Sequence, residues 1–274
     1  MDDDLDDHDR GLVFDLATLM DRRRAIKLMA GAGLFTIVSC ATGTGVTTTL
    51  TGSTAGGSET TGDSDASCEE IPEETAGPYP GDGSNGPNVL ADSGIVRSDI
   101  RSSFGSATGV ADGVPLTIKL TVQDRANGCA ALAGAAVYLW HCDRNGDYSL
   151  YSDGVTEENY LRGVQETDAN GAVTFTSIFP ACYSGRWPHI HFEVYPSVAE
   201  ATSSENKIAT SQVALPQDVC ELVYATDGYS QSVTNLAQVS LESDNVFGDG
   251  ADQQLGIVTG SVEEGFVVEL VVPV

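Results

Sequence analysis

Apolar and polar positions alternate through several short stretches of this chain. Val114 to Val122 places Leu116, Ile118, Leu120 and Val122 on one face and Thr117, Lys119 and Thr121 on the other. That two-residue period predicts a half-buried strand. Val173 to Ile178 repeats it, with Val173, Phe175 and Ser177 set against Thr174, Thr176 and Ile178. Ala135 to His141 and Ile208 to Leu215, the latter with Gln212 inside it, predict two further strands. His189 to Tyr195 adds another, rich in β-branched and aromatic bulk and preceded by Pro188 at a strand start. Val262 to Val272 predicts an apolar, central last strand, and Gln217 to Tyr224 one short helix. Between them lie turn signals at Asp124 to Gly128, Asn145-Gly146 and Thr167 to Gly171. Ile71 to Asn88 is dense in proline and glycine and predicts irregular chain. Short strands, glycine-rich turns and no long helical period together predict an all-β domain. Its core would be a sandwich or barrel of mostly antiparallel strands, with the site on long loops.

Composition narrows the partners. The chain has 274 residues, 41% of them apolar, enough for a substantial core. Forty acidic residues against 13 basic ones leave a net charge of −27. Such a field repels phosphate backbones, so no nucleic-acid partner is expected. The acids are scattered, which suits a solubilising surface better than an acidic tail.

The amino-terminal 40 residues read as an address. Arg22-Arg23-Arg24-Ala25-Ile26-Lys27 precedes an apolar run from Leu28 to Val38. Eleven residues are too few to span a bilayer, which needs about 20. A basic segment before a short apolar one is a secretory pattern, and the paired arginines resemble a twin-arginine signal. Ile37-Val38-Ser39-Cys40 resembles a lipobox, in which a lipidated Cys40 would anchor the exported protein to a membrane. A plain cleavage site with an incidental cysteine is the alternative. Residues 41–67 are rich in Thr, Gly and Ser and predict a flexible tether, leaving 68–274 as the β domain. Sequence leaves the oligomeric state open.

Five cysteines follow the tether: Cys68, Cys129, Cys142, Cys182 and Cys220. Five is odd, so at most two disulfides form, with Cys142–Cys182 and Cys129–Cys220 as candidate pairs. No Cys-x-x-Cys spacing supports a thiolate metal site.

The candidate chemistry sits on the loops and on one strand. His189 and His191 are two apart in a strand, so both imidazoles point the same way and can share one metal ion. Tyr148 emerges from the Asn145-Gly146 turn, with Tyr151 a nearby rival, and Tyr183 precedes the histidines. Two phenols and two imidazoles favour a hard trivalent ion, Fe(III), over zinc or calcium. Tyr79, on a stiff Gly-Pro-Tyr-Pro loop, would line a pocket or anchor packing. His141 reads as structural, at a strand end, and His8 lies in the leader.

Three ordered motifs carry a resemblance. They are Trp140 to Ser149 (Trp-His-Cys-Asp-Arg-Asn-Gly-Asp-Tyr-Ser), Thr167 to Phe179, and Trp187 to Phe192 (Trp-Pro-His-Ile-His-Phe). Together they resemble the intradiol ring-cleavage dioxygenases over roughly residues 70 to 274, and Gly77-Pro78-Tyr79 resembles the loop by which the chain enters that domain. The resemblance implies a non-haem Fe(III) held by Tyr148, Tyr183, His189 and His191, with Arg186 as the active-site arginine and Gln212 as a pocket glutamine. It implies a small aromatic diol and O2 as substrates, and intradiol cleavage to a muconate-type diacid. Tyr148 would leave the metal and accept a substrate proton, while Arg186 would stabilise charge developing on the ring. Two features depart from the family: a leader and tether replace the helical dimerisation segment, and the Tyr183–His189 gap is short. A non-catalytic exported β-sandwich binding module is the competing reading. Convergence of the four donors on one point separates the two.

Overall fold

The computed structural model describes residues 68–274. The expected twin-arginine leader with His8, the expected lipobox at Cys40 and the expected tether over 41–67 all fall outside the described residues. Among the described residues no helix is long and apolar enough to cross a membrane.

Among the described residues nine strands and two short helices follow one another in the order β1 (Pro115–Asp124), β2 (Ala130–Ala131), β3 (Ala136–Trp140), β4 (Arg162–Glu166), β5 (Ala172–Ile178), β6 (His189–Tyr195), β7 (Ala209–Ala214), α1 (Gln217–Tyr224), α2 (Ser230–Leu236), β8 (Ile257–Ser261) and β9 (Gly265–Pro273). One sheet runs β2-β1-β9-β8, with β5 also paired to β1; the other runs β4-β3-β6-β7. All pairings are antiparallel except β1 with β9. The all-β sandwich expected from the alternation is the fold observed.

The alternating apolar faces meet between the sheets. Leu116, Ile118, Leu120 and Val122 of β1, with Val173 and Phe175 of β5, pack against Val137 and Leu139 of β3 and Ile190, Phe192 and Val194 of β6. Each such side chain, fully buried, contributes about 1.5–3 kcal/mol of transfer free energy. The second sheet is buried on both faces, and β3 is inaccessible along its whole length. Its outer face carries Ala136, Tyr138, Trp140 and Tyr195, covered by Val89, Leu90, Ile95 and Tyr148 from irregular chain. This second, covered face is where the candidate site lies.

Several boundaries differ from expectation. The predicted last strand from Val262 is two elements: β8 ends at Ser261 and Val262 lies in the hairpin turn before β9. Gly260 breaks the apolar run of β8, which hid it. β4 was hidden by its polar sequence, Arg-Gly-Val-Gln-Glu, yet Arg162, Gly163 and Val164 are buried. α2, Ser-Gln-Ser-Val-Thr-Asn-Leu, is built of weak helix formers and holds its place by packing. By contrast β9 is flanked by β1 and β8, internal to its sheet as expected.

Both candidate disulfides are corrected. Cys68 pairs with Cys129, while Cys142, Cys182 and Cys220 are buried free thiols. The pairing follows from the chain's course: the amides of Ile71 and Arg125 bond to the carbonyls of Pro273 and Val274, which draws both segments to the end of β9. Cys182 and Cys220 belong to the inter-sheet core and Cys142 to the covered face. Burial pushes the Cys182 thiol up to about 12. The disulfide closes a loop of 61 residues, and opening it by Cys129→Ser is expected to cost about 2–4 kcal/mol in denaturant unfolding. Wild-type protein unfolded with and without reductant should show the same difference.

Candidate metal centre

Three elements deliver the four predicted donors. β6 presents His189, His191, Glu193 and Tyr195 to the covered face, because Ile190, Phe192 and Val194 face the core. The Cys142–Tyr148 loop is an Asx-type turn, in which Asp143 Oδ1 accepts from the amides of Asn145 (2.8 Å) and Asp147 (3.1 Å). Its Gly146 has φ +97°, and a Cβ there would stand 3.2 Å from Tyr183 Cβ, so glycine is required where the two tyrosine loops touch. Tyr148 is then held by its amide, which donates to Ser152 Oγ at 2.9 Å. The Tyr183 loop is pinned by α2: Cys182 N donates to Ser232 Oγ (3.0 Å), and Asn235 Nδ2 donates to the Cys182 carbonyl (2.8 Å).

The donor atoms converge. Tyr148 Oη lies 3.5 Å from Tyr183 Oη, Tyr183 Oη 3.1 Å from His189 Nε2, and His189 Nε2 3.1 Å from His191 Nε2. Donors at about 2 Å from one ion and near right angles stand about 3 Å apart, so this spacing suits a shared cation. His189 Nδ1 bonds to the Trp187 carbonyl at 2.5 Å, which fixes its proton there and leaves the Nε2 lone pair toward the other donors. The His191 ring stacks on Trp140 at 4.9 Å with planes 3° apart, and a Cβ added at Gly77 (φ +69°) would lie 3.4 Å from its Cε1. Burial holds both imidazoles well below the usual histidine range, so both are neutral and able to donate a lone pair. Burial, and then Tyr183, hold the Tyr148 phenol well above its ordinary value. Tyr148, His189 and His191 are buried, and Tyr183 is half-buried.

The remaining predicted residues surround this set. Arg186 is buried, not a surface ion pair: Nε donates to Asp244 Oδ2 at 3.0 Å and Nη2 to Gln212 Oε1 at 2.7 Å. Gln212 stands directly opposite His191 on β7 and donates to the Thr75 carbonyl at 2.9 Å. Tyr79 packs, with its ring 5.0 Å from Tyr148 and 5.2 Å from Tyr151. Tyr151 is no rival donor, because its hydroxyl accepts from Gly81 N and donates to the Asn85 carbonyl. His141 is structural, bonded at 2.7 Å to both the Cys142 carbonyl and Ser177 Oγ. Among the described residues no three His, Cys, Asp or Glu side chains gather around a metal position, so the phenols are what complete this set. A concavity of about 680 Å³ on the outer face of the five-stranded sheet, lined by Lys119, Ile257 and Val271, contains none of the donors.

Two contributors escaped sequence reading. Asp244 sits in an unremarkable Ser-Asp-Asn stretch of a very acidic chain. Arg162 had one signal, as a rare cation of a strongly anionic chain inside its β domain.

Comparison with known proteins bears on the family and the fold. The dioxygenase family model matches residues 86–218. An intradiol ring-cleavage dioxygenase from Tetranychus urticae is 26% identical, with 75% of this chain and 94% of that one covered at a TM-score of 0.58. Over its β domain the chain resembles the intradiol ring-cleavage dioxygenases. A second dioxygenase crystal structure, 24% identical, covers the same shares at a TM-score of 0.59. The dioxygenase domain of a dioxygenase and carbohydrate-binding protein fusion from Streptomyces sp. SirexAA-E is 21% identical, covering 75% of this chain and 98% of that one at a TM-score of 0.48. No curated protein matches the sequence. Family and fold support ring-cleaving dioxygenase activity in general, and intradiol dioxygenases generally use Fe(III).

Proposed function

We propose that this dioxygenase is a non-haem Fe(III) enzyme that cleaves catechol-type aromatics between the two hydroxyl carbons, placing both atoms of O2 in a muconate-type diacid. The observation that carries the reading is the convergence of Tyr148, Tyr183, His189 and His191 at 3.1–3.5 Å spacings. The donor set fits the ion: two phenolates are hard and anionic, and two imidazoles with fixed or stacked rings complete a neutralising, buried shell. Ferric iron, once bound, supplies the Lewis acidity that draws electron density from the catechol and readies its ring for dioxygen.

The chain's own residues do the rest. Tyr148 stands at the end of the donor series, across its longest spacing, and its ring packs on Tyr79. Its phenolate oxygen is suited to accept a proton from a substrate hydroxyl as that hydroxyl enters. His189 and Tyr183 stay fixed, through the Trp187 carbonyl and the α2 anchors respectively. Arg186 supplies a fixed positive charge beside β6, favouring charge that builds on the ring. Trp140 and the covered face exclude water from the back of the site. The Arg-rich leader, the lipobox at Cys40 and the Cys68–Cys129 disulfide support export, with Cys40 lipidation as the proposed membrane anchor.

Purified full-length protein should be burgundy red from phenolate-to-iron charge transfer, carry about one iron per chain, and take up one O2 per catechol consumed. Protein that stays colourless after ferric reconstitution and consumes no oxygen with catechols sinks this reading.

A further inference from the structure

Arg186 is a buried cation, and a buried cation stays charged and oriented only if something holds it. Three observations identify what does. Asp244 has no exposure to speak of (2%), and its Oδ2 accepts from Arg186 Nε (3.0 Å) and from the amide of Trp187 (2.6 Å). Its Oδ1 accepts from the amides of Val246 (2.8 Å) and Phe247 (3.1 Å), so the carboxylate itself is locked from behind. On the far side of the guanidinium, Nη2 donates to Gln212 Oε1 at 2.7 Å, and Gln212 is the register partner of His191. The guanidinium is therefore strung between a fixed carboxylate and the strand that flanks the donor histidines. Its charge stands next to the site, since the glutamine it bonds is paired across the sheet with the donor His191 and Arg186 lies three residues before the donor His189.

We propose that Asp244 is the positioning residue for Arg186, fixing the guanidinium's orientation toward the donor cluster so that its charge meets the reacting ring. This rests on the dioxygenase reading above. Trp187 N shares the same carboxylate oxygen, so Asp244 also sets the start of the run that leads into β6. Asp244→Asn removes the charge and, with one amide face, confronts at least one pair of N–H donors with another donor.

The test is a double-mutant cycle on iron-loaded full chain with catechol. Asp244→Asn is expected to keep its iron and its visible band, to lower kcat by roughly 10–100-fold, and to leave KM within about threefold, because the guanidinium acts on charge present mainly in the transition state. Arg186→Met should lower kcat at least as far, and the double variant should be no slower than Arg186→Met alone. A kcat for Asp244→Asn within twofold of wild type, or multiplicative losses in the double variant, overturns the proposal. Where Asp244→Asn alone does not fold, Arg186→Met is compared with Arg186→Met/Asp244→Asn; equal kcat supports the assignment and a further fall overturns it. If wild-type protein binds iron but turns over no catechol, the dioxygenase reading fails separately. The Arg186 Nε–H resonance of gallium-loaded protein then decides: slow exchange lost in Asp244→Asn supports the positioning role, and unchanged exchange overturns it.

Discussion

Tyr183→Phe is expected to bleach the protein and to lower catechol cleavage by more than the roughly 10–100-fold typical of losing a residue that only supports a ligand. The phenol oxygen lies 3.1 Å from His189 Nε2 and 3.5 Å from Tyr148 Oη, so it occupies the middle of the donor series. Phenylalanine fits the same space, since Tyr183 packs at the edge of Tyr148 and His189 (5.9 and 5.5 Å between ring centres) without needing its hydroxyl for that contact. Stability should therefore change little while the charge-transfer band and iron retention collapse. Tyr148→Phe should shift and weaken the band but spare more of the iron, because Tyr148 stands at the end of the series and is the proposed proton acceptor. Iron content, the visible spectrum and oxygen uptake read all three effects. A Tyr183→Phe protein as red and as active as wild type removes the phenol from the site.

Arg162→Met is expected to lower stability by roughly 5 kcal/mol, taking about 1 kcal/mol for each of five hydrogen bonds left without a donor. The guanidinium is almost wholly buried (1%) on β4. Nε donates to Ser149 Oγ (3.1 Å), Nη1 to the Pro80 carbonyl (2.8 Å) and Tyr138 Oη (3.1 Å), and Nη2 to the carbonyls of Tyr79 and Ser149 (both 2.9 Å). Apart from Tyr138 on β3, those acceptors belong to irregular chain that has no strand partners of its own, so one side chain replaces a ladder. The loss should appear as a fall in Tm of roughly 10 °C or more. Arg162 also ties Tyr79 and Ser149, the neighbours of Tyr148 in space and in sequence, so iron affinity should weaken in protein that remains folded. Lysine, with a single point charge and no planar fork, should recover only a minor part. A fall in Tm of a degree or two would show that water or a rearranged loop satisfies the carbonyls.

Much of this protein is legible in one dimension. The period-two pattern in Leu116–Val122 and Val173–Ser177 reflects a local fact, that strand side chains alternate, so sequence reading finds β1 and β5 without knowing their partners. The same rule puts His189 and His191 on one side of β6. Where burial is two-sided the period vanishes: β3 is inaccessible at every position, and only its bulk and flanking turns disclose it. Where burial depends on a single long-range contact nothing local shows, as with the polar β4, whose Arg162 is bonded to residues more than 80 positions earlier at Tyr79 and Pro80. The cysteines make the same point, since Cys68 meets Cys129 only because β1 and β9 run side by side.

The amino-acid sequence alone determined the all-β class, the acidic composition and the His-x-His strand, and it nominated the four candidate donors, because each rests on residue chemistry or on spacing within a few positions. Only the tertiary structure decided that the two phenol oxygens come within 3.5 Å of one another and beside the imidazoles, that Arg186 is buried against Asp244, and that Arg162 clasps the loops over the site. Each of those joins groups separated by tens of residues. Their encounter is set by how two sheets stack and how irregular chain covers the second one, which is a property of the whole packing and of no single stretch.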